Sequence, residues 1–165
     1  MTNLRPLLVA AAALAAAWAS SGCAAVAEGK AAPPVQGEAW VQAPKNPDRL
    51  LSGKWGLIVF FRPSSATCAE EMPGVLALEK EYGPKGLVVV GVTAADAEET
   101  AVFLQENGVK FPVLTDARHT VDAYGIPEVS EIHTYLVNPP GVVIVQGDLE
   151  KCRDVLDRYM VPAKK

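Results

Sequence analysis

The chain has 165 residues and a mass of 17.5 kDa, which suits one compact domain. Its formal net charge is −4, from 15 Lys and Arg against 19 Asp and Glu, and no basic tract occurs, which argues against nucleic acid as a partner. Half of the residues are apolar, too many for a disordered chain; there is one long apolar run, at the N-terminus, so a multi-span membrane protein is also excluded.

That run is the first feature in chain order. Residues 7–19 are unbroken apolar, mostly Ala, and follow a short segment whose one charged side chain is Arg5. Thirteen residues suit the apolar region of an export signal better than a membrane span. Two cleavage sites are present. Ser20-Ser21-Gly22-Cys23 resembles a bacterial lipobox, whose cysteine is lipidated after cleavage, although Ser20 stands where a Leu-type residue is usual. Ala25-Val26-Ala27 has the small-x-small form that ordinary signal peptidase uses. The expected organisation is a signal peptide over 1–22 (alternatively 1–27), a tether over 23–37 rich in Ala, Pro and Gly, and a folded domain over 38–165. The protein is expected to be exported to a bacterial cell envelope, either lipid-anchored to the membrane through Cys23 or periplasmic or secreted. Disulfide chemistry is permitted there. Cys68 and Cys152 are the remaining thiols.

Strands and helices then alternate. Residues 57–61, Leu-Ile-Val-Phe-Phe, form a continuous apolar run, as a strand buried on both faces should. A helix is predicted over 69–82, kinked at Pro73 and stopped by Gly83-Pro84. A second buried strand covers 87–92. Asp96 caps the next helix, with Glu99 as its capping-box partner, and Asn107-Gly108 ends it. A short strand over 111–114, a short helix over 118–124 and a hairpin of strands 134–137 and 142–145 around Asn138-Pro139-Pro140-Gly141 follow. The closing helix, 148–160, puts Leu149, Cys152, Leu156 and Tyr159 on one apolar face. This order describes an α/β sheet covered on both faces, with its site at the carboxyl ends of the parallel strands, just after Phe61.

Gly53-Lys54-Trp55-x-Leu57-Ile58-Val59-Phe60-Phe61, followed by Cys68-x-x-Glu71-Met72-Pro73, resembles exported thioredoxin-like proteins of the redoxin (alkyl hydroperoxide reductase/thiol-specific antioxidant) superfamily, including its cytochrome-maturation reductases. Residues 103–116, Tyr124-Gly125-Ile126 and Tyr135-Leu136-Val137-Asn138 continue the resemblance in order. It covers roughly residues 38–160 and implies a thioredoxin-like fold: a central mixed β-sheet with helices on both faces.

The departures are chemical. The reductases carry Cys-x-x-Cys; here the tetrad is Ser65-Ala66-Thr67-Cys68, with Ser65 in the attacking position. The family's cis-proline position holds Ile132. A serine hydroxyl stays protonated near pH 7 without a base, so ordinary dithiol turnover is not expected. The resemblance instead implies Cys68-dependent, one-cysteine thiol oxidoreductase or peroxidase-type antioxidant activity, because peroxiredoxins carry Thr/Ser-x-x-Cys. Catalytic candidates are Cys68 and Ser65. Arg62, His133 and Thr67 are candidate supporting residues, and Cys152 is a candidate resolving thiol. Against the peroxidase pattern, Phe61 stands where that motif has Pro, and Ile132 stands where it places an arginine. The alternative is a catalytically degenerate thioredoxin-fold module that binds a partner protein, with Cys68 as a small core residue and Cys152 as core filler. No cofactor is implied, and two widely spaced histidines with two thiols make no metal motif. A one-cysteine enzyme would need an external thiol, or a thiol-bearing protein, as reductant.

Overall fold

The computed structural model describes residues 25–37, 39–126 and 128–161. The export signal and Cys23 lie outside the described residues. No helix among those described is long and apolar enough to cross a membrane.

Six strands form one mixed sheet in the order β1-β4-β3-β2-β5-β6. The strands are β1 (Trp40–Val41), β2 (Gly56–Phe60), β3 (Val88–Val92), β4 (Val113–Leu114), β5 (His133–Val137) and β6 (Val143–Gln146). β2, β3 and β4 run parallel; β1 pairs antiparallel with β4, and β5 and β6 pair antiparallel beside β2. All five residues of β2 are buried, the continuous apolar pattern of a central strand.

Alternation along the strands divides the core. Leu57, Val59, Val89, Leu136 and Val145 face helices α1 (Ala66–Tyr82), α2 (Ala97–Glu106) and α4 (Leu149–Met160). Ile58, Phe60, Val90, Val92, Tyr135 and Val143 face α3 (Arg118–Ala123) and the tyrosine that follows it. On this second face Phe60, Tyr124 and Tyr135 pack ring to ring, with Tyr124 4.8 Å from Phe60 and 4.9 Å from Tyr135.

A six-residue helix cannot cover that face, and the chain before β1 completes it. The Val26 amide donates to Tyr124 O, Gly29 N to Val143 O, Val143 N to Lys30 O and Ala32 N to Gly141 O. The Tyr124 hydroxyl donates to Pro33 O at 2.7 Å. Val26, Ala32 and Val35 pack against the second cluster. The expected tether over 23–37 is therefore, from residue 26, a strap laid along β6. Its prolines exclude helix, and its apolar side chains find a sheet face that α3 leaves open.

α1 begins at Ala66, three residues before the expected Ala69, because Ser65 caps it. It runs unbroken through Pro73, which lies on the exposed side. Asp96 caps α2 through Glu99 N, as its sequence predicts. The hairpin turn at 138–141 is closed by Gly141 N to Asn138 O and by Val142 N to Asn138 Oδ1; Gly141 takes φ 87°, a conformation that favours glycine. Tyr159, expected on the buried face of α4, is 64% exposed and packs its ring 5.6 Å from that of Trp55.

Candidate functional site

β2 delivers the chain to the carboxyl edge of the sheet, where Phe61 turns inward against Phe103, with ring centroids 5.1 Å apart. A turn at Pro63 and Ser64, closed by Ser65 N to Arg62 O at 3.0 Å, aims the N-terminus of α1 at the same edge. Ser65 has extended dihedrals (φ −91°, ψ 119°), and its Oγ accepts the Cys68 amide at 3.4 Å. Cys68 is thus the third residue of a 17-residue helix. Its Sγ accepts the Arg62 amide at 3.5 Å. One backbone N–H, that of Arg62, thus reaches the sulfur at the N-terminal turn of the helix.

The site is closed. Cys68 has 0% exposure. It belongs to the core cluster, and the neighbouring residues 128–132 are held to the α1 segment by three side chains. The Ser65 hydroxyl donates to Ser130 O at 2.6 Å. Glu71 Oε2 accepts the Ile132 amide at 2.8 Å. The Arg62 guanidinium pairs with Glu128 at 3.7 Å.

Not all of the sequence-predicted residues meet. Ser65, Arg62 and Cys68 do, but Ser65 spends its hydroxyl on the cap and on Ser130 rather than on the sulfur, and Arg62 approaches the sulfur with its amide while its charge goes to Glu128. Thr67 is exposed on the first turn of α1. His133, candidate partner of the thiolate, shares the face of Tyr135, opposite the cluster that holds Cys68. Cys152, the candidate resolving thiol, is unpaired and fully buried on α4. Burial, and then the nearby Asp148 charge, push its pKa up to about 12. Among the described residues, no three His, Cys, Asp or Glu side chains gather in a way that could hold a metal.

Sequence reasoning missed Ser130, Thr134 and the role of Glu71. Glu71 carried a signal: it lies three residues after Cys68, hence on the same side of the helix. Ser130 carried none, since it contributes a backbone carbonyl. Thr134 is 1% exposed in β5, and its Oγ1 has no hydrogen-bond partner of ordinary geometry. The Cys152 thiol is the group beside it.

The AhpC/TSA family profile matches residues 29–146. The chain belongs to this family. It is 35% identical over 115 residues to the thiol-disulfide oxidoreductase ResA of Oceanobacillus iheyensis, covering 67% of this chain and 57% of that one. It is 32% identical over 94 residues to the thioredoxin-like protein YneN of Bacillus subtilis, covering 55% of this chain and 54% of that one. The chain therefore spans little more than half the length of these relatives. Among solved structures, the thioredoxin domain of a thiol-disulfide oxidoreductase from Bacteroides vulgatus superposes with TM-score 0.69 at 20% identity, covering 82% of this chain and 99% of that one. AhpC of Mycobacterium tuberculosis superposes with TM-score 0.54 at 19% identity, covering 69% and 74%. The family places the chain among thioredoxin-like redoxins, and the fold is thioredoxin-like.

Proposed function

We propose that the protein is an exported thioredoxin-like redoxin that works through the single thiol of Cys68, with an external thiol as reductant. The observation that carries this reading is the Cys68 sulfur at the N-terminal turn of α1, accepting the Arg62 amide. Export is supported by the apolar run over 7–19 and the processing sites at Cys23 and Ala27, which also support a lipid anchor at Cys23.

The chemistry available to one thiol is limited. Toward a disulfide, the Cys68 thiolate attacks one sulfur, the S–S bond breaks, and the other sulfur leaves as thiolate. An external thiolate then attacks the partner's sulfur in this mixed disulfide and returns Cys68. Toward a peroxide, the thiolate attacks one oxygen, the O–O bond breaks, and the departing oxygen leaves as water or an alcohol after taking a proton. The resulting sulfenic acid condenses with an external thiol, losing water, and a second thiol releases Cys68. Ser65 cannot resolve either adduct, and Cys152 holds its proton far above neutral pH. Cys68 has no exposed surface, so the site must open before either reaction begins.

The test is peroxide treatment of the mature protein followed by dimedone. Cys68 should carry the label, and added thiol before dimedone should abolish it. No label at Cys68, with Cys68 reacting no faster than a free cysteine, would refute the reading.

A second reading, a non-catalytic module that binds a partner, draws on the complete burial of Cys68 beside a segment held by three side chains. It calls for partner binding that survives Cys68→Ala.

A further inference from the structure

A cleft of about 440 Å³, a size that suits a small molecule, lies at the carboxyl ends of the parallel strands. Arg62 enters its wall from the chain after β2, Ala94 and Ala95 from the chain after β3, and Arg118 from α3, which follows β4. The wall carries both signs of charge, with Arg62 and Arg118 set against Glu99 and Glu128. Arg62 meets Glu128 at 3.7 Å and Arg118 meets Asp122 at 3.6 Å, too long for hydrogen bonds, and all four side chains are at least 45% exposed. Such pairs hold their partners weakly. Glu99 has no ion-pair partner among the described residues.

A guanidinium presents a fork of N–H donors that a carboxylate fills with two bonds, and neither arginine is so filled. The Glu99 carboxylate calls for a cation. A simple anion or a simple cation would meet one sign of this wall and be opposed by the other. A small molecule with a carboxylate and an ammonium on neighbouring atoms, the head group of a free amino acid, meets both.

The second observation ties the cleft to the thiol. Arg62 gives its amide to Cys68 Sγ at 3.5 Å and also belongs to the cleft wall, as does Ser64, the residue before the cap of α1. A ligand held in the cleft therefore lies against the residue that touches the sulfur.

We propose that this cleft receives the external thiol as a free amino-acid thiol, its carboxylate on Arg118 and its ammonium on Glu99. The proposal deepens the thiol reading and rests on it for the sulfur. The bound thiol condenses with the Cys68 sulfenic acid: an S–S bond forms, the S–O bond breaks, and the oxygen leaves as water. The thiolate of a second molecule attacks the ligand's sulfur, so that Cys68 leaves as thiolate and the ligand departs as its own disulfide. A cysteine inside a polypeptide has neither head group, because a chain carries its ammonium and its carboxylate at opposite ends.

The experiment oxidises the full mature chain at Cys68 with hydrogen peroxide and follows recovery of the thiol with L-cysteine, 2-mercaptoethanol or the blocked peptide acetyl-Ala-Cys-Ala-amide. Arg118→Gln and Glu99→Gln should each slow recovery by cysteine at least fivefold more than recovery by mercaptoethanol. An arm without reaction titrates the Cys68→Ser chain with S-methyl-L-cysteine. Amide shifts in NMR should centre on residues 94, 95 and 118 and vanish when Arg118→Gln is added. Either substitution slowing both thiols alike, or no shift at these residues, would overturn the cleft. The blocked peptide restoring Cys68 as fast as cysteine would overturn a free amino-acid thiol as the ligand. S-methylcysteine binding at these residues, in a protein whose wild-type Cys68 proves unreactive, supports the cleft and overturns the thiol reading alone.

Discussion

The Ser65 hydroxyl donates to the Ser130 carbonyl at 2.6 Å while its oxygen accepts the Cys68 amide at 3.4 Å. One side chain thus caps α1 and fastens the neighbouring segment 128–132 to it. On the proposed single-thiol reading, Ser65 is therefore a closure as well as the loss of a second thiol.

Disulfide reduction tests the loss. The wild-type protein should reduce insulin disulfides at close to the uncatalysed rate, because no second thiol lies in the tetrad. Ser65→Cys should raise that rate at least tenfold by restoring a dithiol. Wild-type turnover that persists in Cys68→Ser would contradict the assignment of Cys68.

Labelling of the native protein tests the closure. Glu71→Gln weakens the acceptor for Ile132 N–H, and Ser65→Ala removes both the cap and the Ser130 bond, costing about 0.5–2 kcal/mol of stability. Each should speed alkylation of Cys68 several-fold at constant pH, with Ser65→Ala the faster. Unchanged rates in both would mean that residues 128–132 do not control access.

Thr134→Val should stabilise the domain by about 1 kcal/mol, since it removes a buried hydroxyl that has no partner. Urea unfolding with unchanged m-value checks it. A loss of stability would show that the contact with Cys152 is worth more than the unmet hydrogen bond.

Alkaline pH should destabilise the fold through Cys152. The thiol titrates at about 12 when folded and near 8.5 when unfolded, so above pH 9 the folded state holds the extra proton. Stability then falls as pH rises, by up to about 1.4 kcal/mol per pH unit from this group, until the folded thiol itself ionises near 12. Below pH 8 the group contributes no slope. Burial also raises the hydroxyl of Tyr124, which adds to the loss in the same direction. Cys152→Ala should flatten part of the slope between pH 9 and 11; an unchanged profile would remove Cys152 as its source.

The architecture could be read from the chain because the signals that set it are local. The apolar run of β2, Asp96 as a helix cap and Asn138 to Gly141 as a turn each act over a few residues, and all of them hold. Apart from the start of α1, which Ser65 sets locally, much of what failed depended on distant partners. Nothing near His133 tells which sheet face it takes; the register of β5 on β2, with Phe60 opposite His133, decides that. Residues 26–36 look like linker because their composition is that of a linker, yet Tyr124, some ninety positions on, gives them an acceptor and a donor. The site was half legible: the tetrad named its thiol, while the groups that Ser65 and Glu71 hold beside it are a backbone carbonyl and a backbone amide, which no residue type announces.

The strap also sets how far the domain can stand from a surface. Its first fixed point is the Val26 amide on Tyr124 O. A lipid on Cys23 would leave three residue steps before that point, an extended reach of about 10 Å. A domain held so closely would not sweep the space around its anchor. Processing after Ala27 would instead discard Val26 together with its bond and leave the domain free in solution, so the choice between the two cleavage sites is also a choice between a redoxin held at a surface and one that leaves it.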